Sequence, residues 1–256
     1  MRTSVALVNL VLGVAYTSYG VMTLIELKCD WKTMGFSHFG AAWVAMAFTC
    51  GPHHLAHGLH VGFEGRAPGG IDLAAVLVGL PVGVIWLGLR VEAFAGGRGD
   101  RFVSDTPRWL AAMPALGAAY LGALAVAAMT MAFKGFLLPA MAVPNILLFG
   151  IYMTIGYFLL RTQLRNRPAA GGWSVSGLSL TTVFPTCAVM HAVWVMYAAT
   201  GVWSFDVHGF AIDWLGVPAG LYFLWVVRGL YHDALKDWNR APHNVPGPAV
   251  PIGRSA

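Results

Sequence analysis

Long apolar runs dominate the chain, and short polar segments such as KCDWK, EGRAPGG and RTQLRNRP separate them. A helix needs roughly 20 apolar residues to cross the hydrocarbon core of a bilayer, and several runs reach that length. The pattern therefore predicts seven membrane-spanning helices. To within a few residues they are 4–27, 36–62, 71–94, 108–133, 137–161, 173–200 and 213–235.

The composition supports a membrane protein. Of the 256 residues, 57% are hydrophobic and 11% are charged, and the mean hydropathy is +0.65. A soluble domain carries roughly twice that charged fraction. We therefore expect an all-α integral membrane protein whose partner is the lipid bilayer. Residues 1–237 form one seven-helix domain, and residues 238–256, rich in Pro and Gly, form a flexible tail.

The basic residues lie mostly on one side of the predicted helices. Thirteen of the sixteen Lys and Arg residues fall at the side of the first, third and fifth connections and the C-terminus, and three (Arg2, Arg66 and Lys134) fall at the other. Cytoplasmic connections carry the excess of basic residues, which puts the N-terminus outside and the C-terminus in the cytoplasm. The net charge of +5 is thus a topology signal that gives no reason to expect nucleic-acid binding. We expect a multi-pass protein of a bacterial inner (plasma) membrane.

Three pairs of predicted spans share short motifs in the same order. The third and seventh contain GLPVG and GVPAG, the second and sixth contain TCGPHH and TCAVMH, and the first and fifth share an Asn near the outer end. These matches predict a parallel 3+1+3 internal repeat. Repeat 1 covers about 1–94, a linking helix about 108–133, and repeat 2 about 137–237. In transporter folds built from repeats, the ligand site lies at the repeat interface.

Potential metal ligands are concentrated in the second span, all but one of them within FTCGPHHLAHGLHVGFEG. At about 100° per residue they fall within an arc of about 120° on one helix face. They are Met46, Cys50, His53, His54, His57 and His60. Histidines in membrane spans usually face an interior or a cavity and tend to be functional, so this face marks the candidate site.

The sixth span repeats part of this pattern with Cys187, Met190 and His191. Cys50 and Cys187 each lie about fourteen residues from the predicted cytoplasmic end, and a rise of about 1.5 Å per residue gives them the same depth. We therefore expect the two spans to complete one site in the outer half of the bilayer.

Three functions fit these ligands. Imidazole, thiol and thioether groups select soft transition metals, so we favour metal handling or transport, with copper ahead of iron or zinc. Alternatively, His54 or His57 pairs with His191 to hold a haem, or the cluster holds a fixed copper centre, in a redox subunit of an oxidoreductase complex. A histidine-based proton relay or pH sensor is the third possibility. Whether the chain is an enzyme, and whether it works with partner subunits or as a homo-oligomer, stays open.

Two acidic residues, Asp72 and Asp213, open the third and seventh predicted spans. A carboxylate is favoured at a helix N-terminus by the helix dipole. We therefore interpret both residues as helix caps.

Overall fold

The computed structural model describes residues 1–63, 70–108, 110, 129, 142–200 and 207–238, without the side chains of residues 71, 72, 200, 207 and 208. The predicted linking helix lies almost wholly outside these residues, as does the predicted tail. The described part is built on long helices. They are α1 (Arg2–Met34), α2 (His38–Phe63), α3 (Gly70–Phe94), α4 (Ala142–Ala170), α5 (Val175–Thr200) and α6 (Val207–Tyr231).

Five of these helices are long and apolar enough to cross a membrane, which fits a multi-pass membrane protein and confirms the all-helical prediction. They correspond to α1, α3, α4, α5 and α6. Large apolar side chains such as Leu7, Val78 and Leu215 are exposed on the outer faces, where a bilayer would cover them. Helix α2 falls short of the same hydropathy because of its histidines, and it packs between α1 and α6.

The helices pack as two similar groups of three. In the first group α1 contacts α2 and α3, and in the second α4 contacts α5 and α6. Between the groups, α2 contacts α6 and α3 contacts α5. Helices α1 and α2 are antiparallel, because the Arg2 guanidinium donates to the carbonyl oxygens of Val61 and Gly62, each at 2.7 Å. The α2–α6 contact is the one that builds the site.

Glycines allow the closest helix approaches. A Cβ on Gly51 of α2 would collide with the Thr17 hydroxyl and would lie 2.9 Å from the Thr17 backbone nitrogen in α1. A Cβ on Gly156 of α4 would lie 2.7 Å from the ring of Pro185 in α5. Both positions therefore require the absence of a side chain.

The end of the bundle at which α1, α3, α4 and α6 finish is called here the basic end, since Lys32, Arg90, Arg165 and Arg228 lie there. A two-residue antiparallel ladder, β1 (Phe102–Val103) with β2 (Trp173–Ser174), ties the chain after α3 to the α4–α5 connection. Glu26 of α1 and Arg90 of α3 form an ion pair, which fixes these two helices where they finish.

Candidate functional site

A small cavity lies inside the bundle where α2 meets α4, α5 and α6. Its volume is about 20 Å³. On this measure a single water needs roughly 10–15 Å³, so the space suits one water-sized species. We call it the imidazole cavity. Its walls are formed by Thr49, Cys50, His53, His54, Leu148, Tyr152, Cys187, Met190, His191, Trp194, Ile212, Asp213 and Gly216.

Two of its histidines are held in the same way. His54 Nδ1 lies 2.8 Å from Asn9 Oδ1, and His191 Nδ1 lies 2.6 Å from Asn145 Oδ1. All four residues are buried. Each pair joins a histidine to the preceding helix of its own three-helix group, α1 or α4.

The amide groups fix the tautomer of both imidazoles. Asn9 Nδ2 donates to the Val5 carbonyl at 2.9 Å, and Asn145 Nδ2 donates to Asp213 Oδ2 at 2.7 Å. Each asparagine thus turns its oxygen, an acceptor, towards the imidazole. His54 and His191 must therefore carry the hydrogen on Nδ1 and keep the lone pair on Nε2.

Asp213 is a buried member of the site, with 5% of its surface exposed. Its Oδ1 lies 2.9 Å from His53 Nδ1 and 3.9 Å from His191 Nδ1. The interpretation as a helix cap is wrong for Asp213, because α6 begins at Val207. Asp213 therefore lies beyond the first turn of the helix. The corresponding prediction for Asp72 falls on a side chain outside the described residues.

The ring of His53 is sandwiched into this network from α2. It stacks on the indole of Trp194, with centroids 4.1 Å apart and an angle of 14°. Its Nδ1 is the nitrogen that faces the Asp213 carboxylate, just as Nδ1 is the nitrogen that faces an asparagine oxygen in His54 and His191. Three histidines around one cavity are thus each anchored through Nδ1 to an oxygen.

The thiols of Cys50 and Cys187 form the wall shared with a second cavity of about 10 Å³. We call this the sulfur cavity, since Met46 lines it too, together with Tyr16 and Trp43. The Cys50 sulfur lies 3.3 Å from the Tyr152 hydroxyl. This contact joins α2 of the first helix group to α4 of the second.

The structure divides the predicted ligands among different surroundings. His53, His54, His191 and Met190 line the imidazole cavity, Met46 lines the sulfur cavity, and Cys50 and Cys187 line both. His57 is buried beside Trp194, at 5.4 Å between ring centroids, and does not line either cavity. His60 is half-buried in the last turn of α2. Among the described residues, no three His, Cys, Asp or Glu side chains are grouped so as to hold one metal ion.

Sequence analysis missed the roles of Tyr16 and Tyr152. Their rings meet His54 and His191 edge-on, with centroids 5.4 and 5.3 Å apart. A stronger signal was present in the sequence, because the pattern Asn-x6-Tyr-x3-Gly begins at both Asn9 and Asn145. All three positions of this pattern are buried in both helices, and its repetition is the sequence signal that points to the tyrosines.

No family model matches this chain, and no curated protein or solved structure matches it.

Proposed function

We propose that this protein is a membrane proton relay whose centre is the Asp213–His53 pair. The observation that carries the proposal is the 2.9 Å contact between these side chains, deep inside a bundle of apolar helices. Ionisable groups in such places are costly and mark proton pathways in many pumps and transporters. The bilayer that we expect to surround the bundle is that of a bacterial plasma membrane.

The pair can hold and release a proton without leaving an isolated charge. With His53 neutral, its Nδ1 lies against the Asp213 carboxylate at 2.9 Å, and its Nε2 can accept a proton from the cavity. The imidazolium that forms is then paired with the carboxylate, so that the added charge is compensated inside the protein. Asn145 holds the other carboxylate oxygen at 2.7 Å and keeps the carboxylate aimed at His53.

His191 supplies a second acceptor beside the same carboxylate. Its Nδ1 lies 3.9 Å from Asp213 Oδ1, and its ring centroid is 5.7 Å from that of His53. A single water in the imidazole cavity would be able to bridge groups at such separations. The proton would then pass between the Nε2 atoms of His53 and His191 while the Asp213 carboxylate stays near both rings.

The matched Asn–His pairs also support the proposed duplication. Asn9–His54 and Asn145–His191 join corresponding helices of the two groups, and the helix contacts follow the same scheme in each group. We propose that the two groups are repeats related by a pseudo-twofold axis and that the relay lies where they meet, as in repeat-built transporters. The seven-span topology with the basic end in the cytoplasm belongs to the same proposal.

Flux measurements test the relay directly. The purified protein is reconstituted into liposomes that contain a pH-sensitive dye, and a potassium diffusion potential is imposed with valinomycin. We expect a proton flux well above that of protein-free liposomes, reduced at least tenfold by Asp213→Asn and by His53→Gln. The matched controls are Asp105→Asn and His232→Gln, which change exposed residues and should leave the flux unchanged. A wild-type flux equal to that of empty liposomes, or an unaffected Asp213→Asn variant, would contradict the proposal.

Soft-metal handling, with copper ahead of zinc or iron, is a second candidate. The observation in its favour is the anchored Nδ1 of His53, His54 and His191, because metal-binding histidines usually donate that hydrogen to an oxygen and ligate through the other nitrogen. Cys50 and Cys187 would add sulfur ligands, and Met46 or Met190 a thioether. Elemental analysis of protein purified without added metal, followed by Cu(I) titration of wild type and His54→Ala, tests it; binding that ignores this substitution would refute it.

A haem fits the site poorly. Pockets for drug-sized organic ligands have volumes of roughly 300–1,000 Å³, whereas the imidazole cavity has about 20 Å³. This small volume favours a proton or a metal ion over a haem as the species that the cavity holds.

A further inference from the structure

A large open cavity lies at the basic end of the bundle. It has a volume of about 1150 Å³ and is bounded by α1, α2, α3 and the chain that follows α6. We call it the vestibule. Charged side chains line it, among them Glu26, Arg90 and Lys236, together with the aromatic rings of Tyr19 and Trp43. Its size and its charged walls suit a water-filled entrance.

Trp43 separates the vestibule from the sulfur cavity, because its side chain lines both. The indole is buried, with 4% of the residue exposed. It meets Tyr19 and Trp86 edge-on, with ring centroids 4.8 and 4.2 Å apart. On the far side of the sulfur cavity, Cys50 and Cys187 form the wall shared with the imidazole cavity.

These three spaces therefore follow one another along a single face of α2. Trp43 and Cys50 are seven residues apart, which places them on the same face about 10 Å apart along the helix axis. His53 comes one turn later. The order from the basic end is vestibule, Trp43, sulfur cavity, the two thiols, and imidazole cavity.

From this order we infer that the buried site exchanges with the aqueous phase at the basic end of the bundle and that Trp43 is the gate of this route. The inference deepens the proposed function, since it states from which end the relay takes up or releases protons. A small cation that binds in the sulfur cavity would use the same entrance. Rotation of the Trp43 indole out of its contacts with Tyr19 and Trp86 would join the vestibule and the sulfur cavity.

At the other end of the route, Trp194 closes the imidazole cavity. It stacks on His53 and meets His57 edge-on. The two tryptophans thus occupy opposite ends of the buried path, and Trp43 is the one that borders the vestibule.

The buried thiols report on this route. Cys29 is exposed and is first replaced in a Cys29→Ser background, which leaves Cys50 and Cys187 as the thiols. Proteoliposomes of known orientation are exposed to a membrane-impermeant cationic methanethiosulfonate. The thiolate displaces sulfinate from the reagent and forms a mixed disulfide, which intact-protein mass spectrometry counts over time.

We expect Trp43→Ala to raise the modification rate at least tenfold when the reagent faces the basic end and to leave the rate unchanged when it faces the opposite end. Trp43→Phe keeps an aromatic ring and serves as a second variant in case Trp43→Ala does not fold. It should give a smaller increase in the modification rate from the same end. The control is Trp225→Ala, because Trp225 is 50% exposed on the outer face of α6; its modification rate should equal that of the background.

An unchanged rate in both Trp43 variants would overturn the inference, as would an equal increase from both ends, which indicates general loosening. Acceleration by Trp194→Ala from the opposite end, with none by Trp43→Ala, would place the entrance there instead. Labelling needs no proton flux, so a gated thiol reaction without flux would refute the relay and keep the route. Proton flux in a protein whose thiol modification rate does not change in the Trp43 variants would support the relay and refute the route.

Discussion

Removal of the Asp213 carboxylate should lower the free energy of unfolding more than most single substitutions do. In Asp213→Ala, Asn145 Nδ2 loses its acceptor at 2.7 Å, and His53 loses the carboxylate oxygen that lies 2.9 Å from its Nδ1. Each buried donor left unsatisfied costs about 1–3 kcal/mol. We therefore expect a loss of about 3–5 kcal/mol in the free energy of unfolding, the range found when one partner of a buried pair is removed.

The assay is equilibrium unfolding in detergent, with Asp213→Ala, His53→Leu and the double variant compared in a thermodynamic cycle. If the two side chains are coupled as the geometry requires, the double variant loses less stability than the sum of the single variants. Asp105→Ala serves as the control, since Asp105 is exposed and its replacement should change stability by less than about 0.5 kcal/mol. A loss below about 1 kcal/mol for Asp213→Ala, or strict additivity in the cycle, would refute the reasoning.

Two further predictions concern the asparagines and the close helix contact. Asn9→Ala and Asn145→Ala should each destabilise the protein by about 1–3 kcal/mol because a buried imidazole N–H loses its acceptor. ¹⁵N NMR of the histidine rings should show the Nδ1–H tautomer in wild type and its loss in the variant. An unchanged spectrum would contradict the assigned tautomer. Gly51→Ala should lower the free energy of unfolding by about 1–3 kcal/mol through overpacking against Thr17, which is measured as a lower Tm. The control Gly150→Ala places its Cβ in open space and should leave the Tm unchanged. Equal Tm values for both variants would disprove the tight contact.

The sequence predicts the helices and the residues on one face of α2 well, because both follow from periodicity and local hydrophobicity. Cys50, His53 and His54 do meet Cys187, Met190 and His191 at one cavity. What periodicity does not reveal is the partner of each side chain. The anchoring of His54 by Asn9 and of His191 by Asn145 depends on how α1 and α4 pack, which is a tertiary property.

The role of Asp213 shows why helix ends limit such reasoning. The hydrophobic pattern predicts a helix that begins at residue 213, whereas α6 begins at Val207. The residue expected at a terminus therefore lies inside the bundle. His57 and His60 illustrate the converse. In a projection down the helix axis they lie on the same face as His53, but α2 extends beyond the cavity. Such a projection does not show how far along the axis each residue lies.

The composition of α2 has a consequence for how this protein enters the membrane during synthesis. A segment with several histidines and a central proline gains little from lipid on its own, since polar residues lower the tendency of a segment to insert. One buried face of α2 is covered by α1, and only three residues, 35–37, connect the two helices. We therefore expect the translocation machinery to accept α1 and α2 together as a hairpin, and nascent chains that stop before α6 to leave the histidine face of α2 exposed to membrane chaperones.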